Sequence, residues 1–93
     1  MNYAELLQKM HREGFERIER DDRLLDVFPA ETREKGVELW ESIADNEIKL
    51  LRLRLPFDDK KMTLYSISKR RLDQLLLNNE QAELADFPTE KFS

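Results

Sequence analysis

Few side chains in this sequence are equipped for covalent or metal chemistry. His11 is the only histidine, and there is no cysteine. Disulfides, thiolate metal sites and cysteine nucleophiles are therefore excluded. A metal held by imidazoles would need a second ring, and a Ser–His–Asp relay would have to use His11, which has no serine near it in sequence. On a helical wheel His11 falls at the edge of an apolar stripe and reads as a boundary residue. Gly14 and Gly36 are isolated, so neither a phosphate-cradling glycine loop nor a nucleophile elbow is present. The Asp and Glu clusters lack the spacing of a calcium loop. These residues lead to the expectation of a non-enzyme with no cofactor and no metal.

Charge is the remaining chemical resource. The net charge of −4 conceals three blocks. Residues 1–47 carry 13 acidic and 7 basic side chains, residues 48–71 carry 2 and 8, and residues 72–93 carry 5 and 1. Charges act over a Debye length of roughly 8–10 Å, so this local asymmetry matters more than the total. Glu31, Glu34, Glu38, Glu41 and Asp45 recur at helical spacing. On one helix they would share a narrow arc and repel by a few tenths of a kcal/mol per pair. Such a stripe suits a cationic counter-surface. The leading expectation is a small adaptor, regulator or inhibitor. It would bind a protein partner, or a second copy of itself, through Glu34, Glu38, Glu41, Asp45, Arg52 and Arg54.

The alternative expectation is a nucleic-acid-binding regulator using the basic block 49–71, with contacts from Lys60, Lys61, Lys69, Arg70 and Arg71. Its affinity would fall steeply with salt. The stretch Ile67-Ser68-Lys69-Arg70-Arg71-Leu72-Asp73-Gln74-Leu75 resembles the turn and start of a helix-turn-helix recognition helix. Met62 and Ser66 depart from that pattern, and the residues before the turn favour a strand. Three cations at a helix N-terminus run against the helix dipole, which points to an external anion.

The elements that must position these residues follow from periodicity. Asn2 is an N-cap for a helix over residues 3–20, with Leu6, Met10, Phe15 and Ile18 on one face. Leu24, Leu25, Val27 and Phe28 then form a connecting segment. Pro29 opens a second helix running to Asp45, with Val37, Trp40 and Ala44 inward and the acidic stripe outward. Gly14 and Gly36 fall on the apolar arcs, which predicts a close helix crossing there. Leu51, Leu53 and Leu55 alternate with Arg52 and Arg54, the period of a strand. With residues 62–67 this segment predicts an antiparallel hairpin. An isolated hairpin is marginally stable, so it must pack on the helices or pair at its edge with a second copy. Ser68 caps a third helix over 69–78.

The expected fold class is α+β and mostly helical, in the order ααββα. A single compact domain would span residues 1–85, with a flexible tail over 86–93 offering Phe87 and Phe92 to a partner. The first residues show no leader pattern, and the stretch 48–55 is too short and too charged to cross a bilayer. The expected compartment is the cytoplasm.

Overall fold

Eight elements follow one another along the chain in a computed structural model whose described residues are 2–29, 36–53, 62–83, 85 and 87–92. They are α1 (Tyr3–Arg12), β1 (Glu16–Ile18), α2 (Asp22–Val27), β2 (Val37–Ser42), β3 (Glu47–Leu53), β4 (Met62–Ser68), α3 (Lys69–Leu77) and β5 (Thr89–Phe92). The strands form one antiparallel sheet in the order β1-β2-β3-β4-β5. The fold is α+β, but it is neither mostly helical nor ααββα, because strand structure replaces the expected second helix.

That correction has a physical cause. The sheet is covered on both faces, and strands buried on both faces lose the alternation of apolar and polar residues. Leu39 and Trp40 are neighbours in β2, yet both are buried, one on each face. The carboxylates at 38, 41 and 45 merely coincide with a helical period. A four-residue turn, Ile43 to Asn46, joins β2 to β3, and Asn46 takes a left-handed conformation with φ 52°. Asparagine tolerates that region better than most residues.

The first helix also ends earlier than its periodicity predicts. At Gly14 φ is +86°. The Gly14 N–H donates to the His11 carbonyl (3.0 Å) and the Phe15 N–H to the Met10 carbonyl (2.9 Å). This pair of bonds is the Schellman stop. Gly14 therefore terminates α1 instead of marking a helix crossing. Gly36, also at φ +86°, immediately precedes β2.

The expected strands pair, with Leu51 opposite Leu64 and Arg52 opposite Thr63, but the first begins earlier, at Glu47, and Leu55 and the expected loop over 57–61 lie outside the described residues. Both strands are interior to the sheet, so an intersubunit sheet cannot form through them. The third helix spans 69–77, and Ser68 Oγ accepts the Arg71 N–H at 3.1 Å. Because strand β4 precedes it, the helix-turn-helix expectation is overturned. The segment expected as a flexible tail instead holds β5 paired to β4, and Phe87 is buried.

Two apolar layers hold the sheet. On one face Leu6, Met10 and Phe15 pack on Trp40, Leu51, Met62 and Leu64. On the other, α2 and α3 bring Leu25, Val27, Leu72 and Leu75 onto Leu39, Ile48, Leu50 and Ile67. Phe87 stacks on Phe28 there, with centroids 5.1 Å apart. Among the described residues no helix is long and apolar enough to cross a membrane.

Candidate functional site

The residues expected to bind a partner are dispersed by the sheet. Glu34, Arg54, Lys60 and Lys61 lie outside the described residues. Successive strand positions face opposite ways. Glu38 therefore points under α1, while Glu41 points toward α3.

Glu38, expected on an exposed stripe, is instead only 6% exposed. Its Oε1 accepts the Trp40 indole N–H at 3.1 Å. Its Oε2 accepts the Tyr3 hydroxyl and lies 3.6 Å from Arg17 Nη1. Burial, and then the hydrogen bond to Glu38 and its negative charge, push the Tyr3 hydroxyl up to about 12, while Arg17 works in the opposite direction. Removing a carboxylate from water is costly unless donors replace the lost hydration, and three groups do so here. His11 sits edge-on to Trp40 with ring centroids 5.4 Å apart, which gives that histidine a packing role. Tyr3, Arg17 and Trp40 were not among the expected site residues. The spacing of Glu38 and Trp40, two apart on one strand face, is the only local signal for this cluster.

Acidic and basic blocks also meet elsewhere inside the molecule. Glu41 Oε2 lies 4.0 Å from Lys69 Nζ, joining β2 to the first turn of α3. Lys49 Nζ lies 3.8 Å from Glu47 Oε1 and 5.1 Å from the centroid of the Phe15 ring. Arg52 is half-buried on β3. Asp45 is exposed in the β2–β3 turn, where its N–H donates to Ser42 Oγ at 3.1 Å. Arg70 and Arg71 are exposed at the start of α3.

The structure does gather Asp45 and Arg71 around one opening. A notch of about 290 Å³ is lined by Asp45, Asn46, Glu47, Ser66, Ser68 and Arg71, with Ile67 and Pro88 behind them. Two backbone bonds build its walls. The Lys69 N–H donates to the Asn46 carbonyl (2.7 Å), tying α3 to the turn, and the Ser66 N–H donates to the Pro88 carbonyl (3.1 Å). The lining thus combines Asp45 of the turn and Glu47 at the start of β3 with Arg71 of α3 around one solvent-open volume. Fixed opposite charges of this kind can recognise a polar or zwitterionic segment. A second hollow of about 240 Å³ lies between α2 and α3, bordered by Arg23, Asp26, Asn79, Glu80 and Gln81. Among the described residues no group of three His, Cys, Asp or Glu side chains could hold a metal ion.

Searches against known protein families, curated proteins and solved structures find no match to this chain.

Proposed function

We propose that this chain is a non-catalytic protein-interaction module, a small adaptor, regulator or inhibitor working in the cytoplasm. It takes a charged segment of a protein partner into the notch between the β2–β3 turn and α3. The observation that carries this reading is the meeting of Asp45, Glu47 and Arg71 around one open volume of about 290 Å³. Glu47 of the notch also lies 3.8 Å from Lys49 Nζ, and other charges are engaged within the chain. Glu38 is buried among its donors, and Glu41 and Lys69 pair with each other.

The test is affinity capture from nuclease-treated lysate, comparing the native chain with D45K and R71E. Both positions are exposed, and circular dichroism checks that each variant folds. Proteins retained by the native chain should be lost from both variants. An unchanged set of retained proteins would defeat the reading. Should nuclease remove everything the native chain retains, the alternative stands: nucleic acid held at Lys69, Arg70 and Arg71 on the first turn of α3.

A further inference from the structure

The edge segment 16–20, which is β1 and the two residues after it, carries a charge pattern that is complementary to itself. β1 is an edge of the sheet, and among the described residues its one strand partner is β2. An edge strand presents a row of backbone donors and acceptors to whatever can pair with it. From β1 toward α2 the chain reads Glu16, Arg17, Ile18, Glu19, Arg20. The four charged residues are exposed and Ile18 is half-buried.

We propose that residues 16–20, which are β1 and the two exposed residues after it, pair antiparallel with the same segment of a second copy of this chain, about a two-fold axis through Ile18. In that register Glu16 of each copy stands opposite Arg20 of the other. Arg17 stands opposite Glu19, and Ile18 meets its own counterpart. All four charged pairs have opposite sign. Directly opposed residues on antiparallel strands are close enough for such pairs to count, and like charges there are destabilising. A slip of one residue sets Glu16 against Glu19 in one direction and Arg17 against Arg20 in the other. The charges therefore select the register, which is weakly specified in strands without such a pattern.

The native chain gives Glu16 a further reason to accept a cation. Its neighbour across β2 is Glu41, another carboxylate. Arg17 lies 3.6 Å from Glu38, and Arg20 lies 3.2 Å from Asp22. Their side chains are still 58% and 61% exposed, so each guanidinium retains donors that can reach a second carboxylate. The opposite edge is less well matched. Pairing β5 with itself about a point between Glu90 and Lys91 makes two opposite-charge pairs, where residues 16–20 make four. A two-fold contact closes on itself, so the product is a dimer with one continuous sheet.

Sedimentation equilibrium over a wide concentration range tests this, with E16R, R20E and the double swap E16R/R20E, each checked for cooperative thermal unfolding. The native mass should rise with concentration from that of one chain to that of two, and less readily at high salt. Each single reversal turns two of the four pairs into like-charge pairs and should weaken association about tenfold. The double swap restores opposite signs and should recover native association to within about threefold. A native chain that stays monomeric throughout overturns the proposal. So does equal association of all the variants, or growth past two chains, which would mark head-to-tail contact of β1 with β5.

Discussion

Glu38 shows how one residue's role depends on which faces of its element are covered. As a carboxylate beneath α1 it is held by the Tyr3 hydroxyl, the Trp40 indole and Arg17. Substituting alanine takes this acceptor from the buried Trp40 indole and the half-buried Tyr3 hydroxyl, so E38A should lose about 2–4 kcal/mol in urea unfolding. Y3F removes one donor and should lose about 1–2 kcal/mol. The tyrosine also links stability to alkaline pH. Its folded value, about 12, lies above the ordinary 10.0, so the folded state holds this proton more tightly. The contribution is complete below pH 10 and is lost as pH rises through about 12. Unfolding midpoints of the native chain should fall across that window, and those of Y3F should fall less. The partnership of Tyr3 with Glu38 spans 35 positions in sequence, which no local spacing could reveal.

Helix starts, at Asn2 and Ser68, were more legible than helix ends or element types. Ser68 was readable as an N-cap because its position before Lys69-Arg70-Arg71-Leu72 matches a known local bond, and that bond is present. S68A should cost about 1 kcal/mol in thermal or urea unfolding. Gly14 was legible as unusual but not as a stop, since a wheel records direction and not φ. An added Cβ at Gly14 meets nothing within 4 Å, so space is not what requires glycine. The positive φ is, and G14A should cost about 1–2 kcal/mol, with G14N costing less. The hairpin was legible because Leu51 and Arg52 face differently: Leu51 is fully buried and Arg52 only half-buried. β2 was not, because burial of both Leu39 and Trp40 removed the alternation that identifies strands. The acidic stripe dissolved with the helix that was to carry it. Only Asp45 and Arg71 of the expected site residues come together at the notch.

At the scale of the molecule, one sheet separates two apolar layers of unequal origin. The α1 layer draws on the N-terminal segment and the central strands. The other layer is closed late in the chain by Ala82 and Phe87, and the Ala82 N–H donates to the Val27 carbonyl at 2.7 Å. Phe87 also meets Tyr65 edge-on at 6.3 Å. F87A should therefore lose about 3–5 kcal/mol, measured by thermal unfolding. A flexible tail, as composition suggested for residues 86–93, would lose almost nothing. Among the described residues the acidic and basic blocks of the sequence meet where Glu41 approaches Lys69 and Glu47 approaches Lys49.

The single tryptophan of the chain lies wholly in the layer beneath α1, against Glu38 and His11. Its fluorescence is thus a built-in optical gauge of whether the N-terminal helix is seated. Tyr65 lies on the far side of the sheet, so once Tyr3, the only other tyrosine, is replaced in Y3F, the tyrosine absorbance change reports the other layer. Following both signals during unfolding would resolve whether the two layers come apart together or one after the other, with no dye or label attached.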